Sequence, residues 1–419
     1  MKQILMRRSP KSSSRKFSAD SQRLATLAQF MVQSASRIEQ RSWDKQLDQA
    51  LQKQLRNNQQ QAIDSALDHL FHTDLEAYDG LLDAVEAVSS SCNMEHAGKQ
   101  FDVLLLAMPI LAWTRFSIPA CPIPDDVLQT ISTELYAHVL AQGTKAAITP
   151  TLFSIDQLPR TYCDTYQLTR RMAEAALGGM QLQQPAELPE TAPFLADTRL
   201  LLITVTAEAG MPLLRWQEEQ AGTNLQTATQ QALGQWQAQA TPAIQKLLPG
   251  CGIELLLPEA YYVACRHGDK MIRPISIRAA VYYLTHALGV DADQLCAVVA
   301  GIGEESNEMG IDEYRISFSV ADNPDVFYGV VWPLYDEESG EEELQVLSRR
   351  LPIAAPMAPL QQIISLLREA GITKIEKPEV LFPPEFCDDC GAPLFCDHEE
   401  EMVHAEMPEE AAQQGGHLH

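Results

Sequence analysis

The residues whose types and spacing most directly imply chemistry lie near the C-terminus, in Cys387-Asp-Asp-Cys390-Gly391-Ala-Pro-Leu394-Phe395-Cys396-Asp-His398, with His404 following. Two cysteines separated by two residues, with glycine straight after, form a knuckle whose thiolates can chelate one tetrahedral zinc. The glycine lets the backbone turn back tightly, so that amide N–H groups can point at sulfur. A two-knuckle ribbon would repeat Cys-x-x-Cys about 15–20 residues on, and this chain does not. Two closures of the site are open. In one, Leu394-Phe395 and Met402-Val403 pair as a hairpin that brings His404 to the knuckle and leaves Cys396 and His398 at the turn. In the other, Cys387, Cys390, Cys396 and His398 close a Cys₃His site. The second is preferred because it completes four ligands, although the first has the better strand logic.

A redox role for these thiols is disfavoured. Reactive thiolates sit beside positive charge or a helix N-terminus, whereas Asp388 and Asp389 stand between these cysteines and Asp397 and Glu399–Glu401 follow. Such charges oppose thiolate formation unless a cation compensates.

A second constellation is the run Cys265-Arg266-His267-Gly268-Asp269-Lys270-Met-Ile-Arg273-Pro274-Ile-Ser276-Ile-Arg278. Arg266, Lys270, Arg273 and Arg278 could together bind an anion or phosphate, or could simply neutralise the chain's own carboxylates, which is the simpler reading. Cys265 and His267 stand two apart, and on a helix residues at that spacing face different ways. The chain has no His-Glu-x-x-His, no Gly-x-x-x-x-Gly-Lys-Ser/Thr, no Gly-x-Ser-x-Gly and no Gly-x-Gly-x-x-Gly, so the motif-bearing enzyme classes find no support. Cys92, Cys121, Cys163, Cys251 and Cys296 fall in apolar or loop contexts and read as small hydrophobes.

The formal net charge is −25, and residues 1–16 carry six bases and no acid, so the remainder is more acidic still. Such a surface repels nucleic-acid phosphates and anionic lipid. The most apolar stretch, Phe101–Trp113, contains Asp102 and Pro109 and falls short of the about 20 residues needed to span a bilayer. No apolar h-region follows the basic N-terminus. Nine cysteines spread irregularly over 419 residues do not make a disulfide framework. A reduced, cytoplasmic protein is expected.

Elements must position these groups. Residues 1–17 read as a disordered basic leader. From 18 to 143 the apolar spacing is helical, with stripes at Leu24, Leu27 and Met31, at Trp43, Leu47, Leu51 and Leu55, and at Ile63, Leu67 and Leu70. Further helices are predicted over Asp74–Val88, Lys99–Trp113 and Asp125–Ala141. Beyond residue 143, strand-like runs alternate with helical ones. They fall at Leu200–Thr206, Ile253–Leu257, Leu295–Val299, Arg315–Val320, Val326–Trp332 and Ile372–Ile375. Hairpins are predicted for Thr198–Thr206 with Leu213–Trp216, and for Arg315–Val320 with Val326–Trp332. A weak recurrence of Pro-x-x-aromatic elements at Pro159, Pro258 and Pro383 divides this half. The fold expected is α+β: a helical domain, two tandem ferredoxin-like βαββαβ units over 144–257 and 258–380, a knuckle over 381–408 and a disordered tail over 409–419.

Several stretches together resemble an uncharacterised family of β-proteobacterial proteins. They are Gly210-Met-Pro-Leu-Leu-Arg-Trp216, Ile272-Arg-Pro-Ile-Ser-Ile-Arg-Ala-Ala280, Asp312-Glu-Tyr-Arg-Ile-Ser-Phe318, Tyr328-Gly-Val-Val-Trp-Pro333 and Cys387-Asp-Asp-Cys-Gly-Ala-Pro-Leu394. The resemblance covers nearly the whole chain and implies a bacterial cytoplasmic protein, but it transfers no activity. The expectation is a non-enzymatic binding or scaffolding protein with a structural zinc, its helical domain offering a surface to a protein partner. The alternatives are small-molecule binding at the basic run and, disfavoured by charge, nucleic-acid binding.

Overall fold

In the computed structural model, four helices follow one another where the leucine spacing predicts them: α1 (Ala19–Val32), α2 (Arg37–Arg56), α3 (Gln60–Thr73) and α4 (Leu75–Ser90). Side chains stop three of them at their N-termini. Ser18 accepts from the N–H of Ser21, Ser36 from that of Glu39 and Asp74 from that of Ala77, each satisfying a donor the helix cannot. Leu24, Leu47, Leu51, Leu55, Ile63, Leu70 and Leu81 interlock as one dry core. The structure describes residues 17–407 apart from 117, 120–121, 184–193, 219–224, 304–309, 322 and 336–356. The basic leader through residue 16, Cys121, the acidic run 336–343 and the tail with His417 and His419 lie outside the described residues.

The stretch Lys99–Trp113, expected to be helical, is instead the central strand of a sheet. After β1 (Ser91–His96), β2 (Lys99–Trp113) pairs antiparallel along its length with β4 (Ala196–Glu208), and β3 (Lys145–Ile148) closes the far side of β4. The other edge of β2 holds β1, then β6 (Glu259–Ala260), then β5 (Gly252–Leu255). Pro109, which has no N–H to give, sits where that edge is interrupted between the β6 and β5 pairings. The misreading has a physical cause. Helices cover both faces, so from Val103 on β2 is apolar without alternation, and periodicity cannot distinguish such a run from a buried helix. α5 (Asp125–His138) and α7 (Leu225–Gln245) cover Leu106, Met108 and Ile110 on one face. α6 (Tyr162–Gly178) and α8 (Tyr261–Leu288) cover Leu105 and Ala107 on the other.

A second sheet has the order β10-β7-β8-β9. The strands β7 (Leu295–Ile302), β8 (Glu313–Val320) and β9 (Asn323–Pro333) form a meander, and β10 (Lys374–Glu376) returns parallel to β7 after α9 (Pro359–Glu369). The C-terminal half of α8 and α9 cover one face through Ile277, Leu284, Ile363 and Leu367 against Val299, Ile316, Phe318 and Trp332. The chain is thus mixed α+β, with a helical region followed by sheets, and the predicted β8–β9 hairpin is present.

The ferredoxin-like arrangement is not what the strand orders give. Among the described residues no helix separates β7 from β8, and the Leu213–Trp216 return strand is replaced by a turn leading into a short 3₁₀ helix, Arg215–Gln217. β2 and β3 already occupy both edges of β4, which leaves no edge for a hairpin partner.

Because both faces of β2 are covered, neighbouring positions should be equally intolerant of charge. Leu105→Lys and Leu106→Lys point into different cores, and each is expected to destabilise by more than about 3 kcal/mol in urea titrations. A strand with one wet face would tolerate one of them.

Candidate metal centre

The C-terminal segment returns across the uncovered face of the second sheet. Phe382 and Cys396 pack on Val298, Ala300 and Ile302 of β7. The Phe395 ring lies over Gly329 of β9, where any Cβ would stand 2.2 Å from it. On the neighbouring strand, Ser317 donates its hydroxyl to the carbonyl of Cys396. Arg315 of β8 supplies the firmest attachment. Its fully buried guanidinium pairs with Glu313 at 2.8 Å, donates to the carbonyls of Glu385 at 2.7 Å and Leu394 at 2.6 Å, and stacks 5.0 Å from the Phe386 ring. Those two carbonyls flank the knuckle on either side. Burial raises the Glu313 carboxyl above its usual range, against the pull of Arg315.

Between these anchors the backbone closes on itself. The N–H of Gly391 donates to the carbonyl of Cys387, and the N–H of Cys387 to that of Ala392, both at 2.8 Å. Gly391 takes a φ of +72°, a left-handed conformation that glycine adopts without strain. Beyond it, β11 (Phe395–Cys396) pairs with β12 (Met402–Val403) in the register Phe395↔Val403 and Cys396↔Met402. The turn between them is held by Asp397, whose carboxylate accepts the N–H groups of Glu399 and Glu401. The residue after β12 is His404.

This register brings Cys387, Cys390 and His404 together, with one ligand atom from each within 4.8 Å of the others. Nε2 of His404 stands 3.2 Å from Sγ of Cys390, close to the about 3.5 Å separating sulfur and nitrogen on a tetrahedral zinc. The N–H groups of Cys390 and Asp389 point at the Cys387 sulfur and, with the Cys390 thiol, hold its pKa below the usual value. The N–H of Ala392 approaches the Cys390 sulfur at 3.5 Å. On the far side of the imidazole, Oε1 of Glu406 lies 3.3 Å from Nδ1, and Glu406 is itself tied to β9 through the carbonyl of Val326. N–H groups aimed at sulfur are outer contacts of the kind that orient zinc ligands, whereas Nδ1 of His404 makes no hydrogen bond among the described residues, Glu406 standing beside it without the geometry of one. The cluster could hold a metal.

Cys396 and His398 are not in it, so the Cys₃His closure gives way to the hairpin closure. The pairing explains this. Cys396 faces the β7 core, where burial, reinforced by nearby carboxylates, pushes its thiol up to about 12. His398 lies in the turn, half exposed, with Glu399 as its nearest acid at 3.8 Å.

The basic run lies along α8, and its members meet different protein partners. Arg266 holds Glu86 of α4 with two contacts at 2.7 Å. Arg273 is 4% exposed, donates to the Pro333 carbonyl at 2.6 Å and stacks on Trp332. Lys270 stands over the Tyr335 ring at 5.2 Å, and Arg278 reaches Glu369 at 3.9 Å on the surface. Arg273 also turns its Nε to the Lys270 carbonyl at 3.2 Å, the acceptor that Pro274 leaves open because proline has no N–H.

Sequence reasoning passed over Arg315 and Glu406. The signal for Arg315 was two opposite charges, Glu313 and Arg315, at the same-face spacing in a strand whose intervening residues Tyr314, Ile316 and Phe318 are large and apolar. Such a pair has to be buried together.

Fold and site define a mixed α+β protein whose C-terminal segment carries a Cys₂His cluster. The chain belongs to the family of proteins of unknown function DUF2863, whose model matches residues 9–418. No curated protein and no solved structure matches it. Among the described residues, no helix is long and apolar enough to cross a membrane.

Arg315→Met should destabilise the protein by about 3–5 kcal/mol, because it leaves the Glu313 carboxylate buried without its cation. Replacing both, as Arg315→Met with Glu313→Leu, should cost less than the single change. Urea unfolding measures both, and limited proteolysis should show early cleavage within 385–407 in the single variant.

Proposed function

We propose that the protein binds one zinc ion through Cys387, Cys390 and His404, and that it serves as a non-enzymatic binding or scaffolding protein whose C-terminal segment the ion fastens to the second sheet. The observation that carries this reading is the convergence of two thiols and an imidazole within 4.8 Å. Soft sulfur with imidazole suits zinc better than magnesium or calcium, which take oxygen ligands. The acidic surroundings add to the case: Asp388, Asp389 and Glu406 stabilise a cation and oppose bare thiolates. Three protein ligands leave one position on a tetrahedral ion, to be filled by water or a partner's side chain. The partner-binding part of the reading is supported by Phe30 and Ile38, large apolar side chains exposed on the helical region.

Elemental analysis of protein purified from zinc-supplemented cells should find about one zinc per chain, bound through deprotonated ligands. Cys387→Ser combined with Cys390→Ser should lose it, with a lower melting temperature and faster amide exchange over 385–407. Metal-free protein that takes up no added zinc, with both thiols alkylated at the rate of free cysteine, would rule the site out.

A further inference from the structure

We propose that the chain also binds a small dianionic oxyanion, a phosphate ester or a dicarboxylate, in the cleft between the last turn of α2, the middle of α6 and the strand β1. The cleft has a volume of about 300 Å³ and is lined by Arg56, Arg170, Tyr166, Cys92, Asn93 and Glu95 among others. Nε of Arg56 donates to the hydroxyl of buried Tyr166 at 3.2 Å, and the Arg170 guanidinium lies 5.9 Å from the centre of the same ring. One aromatic side chain therefore sets the positions of both cations.

This cleft gathers two arginines in a chain rich in acid. Acids outnumber bases by 56 to 31, and Arg199, Arg266 and Arg315 each hold a carboxylate. Among the described residues, neither Arg56 nor Arg170 forms an ion pair. The carboxylate lining the cleft belongs to Glu95, which is exposed and takes its hydrogen bond from Gln100. Two guanidinium groups in one cleft repel each other, and an anion placed between them relieves that repulsion. Their forked N–H groups match the paired oxygens of a phosphate or carboxylate, and the Tyr166 hydroxyl, accepting from Arg56, keeps its own proton to donate. The Cys92 thiol stands at the wall, its pKa raised by burial to about 11 while Arg170 and Arg56 pull it down. It is a neutral, weakly polar surface there rather than a nucleophile.

Titration calorimetry on the full-length protein at fixed ionic strength tests the proposal, with inorganic phosphate in one arm and malonate in the other. At least one should bind with a dissociation constant below about 1 mM, and the stronger arm identifies the anionic group. Arg56→Ala, an exposed position, and Arg170→Gln should each weaken that binding by about tenfold or more, the loss expected for a charge-assisted contact. If Arg170→Gln fails to fold, the Arg56→Ala result decides alone. No saturable binding in either arm would overturn the proposal, as would affinity unchanged by Arg56→Ala or heat reproduced by chloride.

Discussion

The buried guanidinium of Arg315 is the constraint around which the C-terminal third is arranged. A cation removed from water must be met by charge and by acceptors, and this one is met from two distant parts of the chain. Glu313 supplies the charge from the same strand. The carbonyls of Glu385 and Leu394 supply the acceptors, and they can do so only if the segment between them lies across the sheet. The strand thus dictates where that segment goes, and Ser317 and Gly329 beside it provide a hydroxyl and an absence of side chain that fit its backbone and the Phe395 ring.

What this docking leaves undone explains the place of the knuckle. The β11–β12 ladder is two residues long on each side, too short to be stable by itself. Carboxylates crowd the turn, and only Phe395 and Cys396 among its strand residues are buried. A divalent ion gripped by Cys387, Cys390 and His404 would bond the loop before β11 to the residue after β12, which closes the hairpin at its open end. The outer contacts to sulfur come from this segment itself, so the site depends on its local fold as much as on the sheet beneath.

How much of this was legible in the residues depended on how locally each feature is determined. The helices α1 to α4 follow from apolar spacing, which is local. The β8–β9 hairpin follows from two apolar runs about a short turn. β2 was not legible as a strand, because a segment buried on both sides shows no alternation and only its partners decide its conformation. The Leu213–Trp216 hairpin failed for a similar reason: the edge it needed was taken by β3, from fifty residues upstream. At the metal centre, Cys387 and Cys390 were visible as a pair, since the knuckle is a local turn. His404 depended on a register. The count of four ligands favoured Cys396 and His398, whereas the strand alternation that sends Cys396 inward was the stronger physical signal. Arg56 and Arg170 carry no motif, and only the packing of α2 against α6 makes them neighbours.

One further feature bears on the molecule as a whole. α8 runs for 28 residues, about 42 Å at helical rise. Its first turns are packed beneath the large sheet through Tyr261, Ala264 and Cys265, and its last beneath the small one through Ile277, Val281 and Leu284. The same rod is therefore a wall of two separate interiors. Loss of either interior uncovers one end of the rod, whose neighbouring turns serve the other. The two sheet interiors that share this helix are therefore coupled to each other through it.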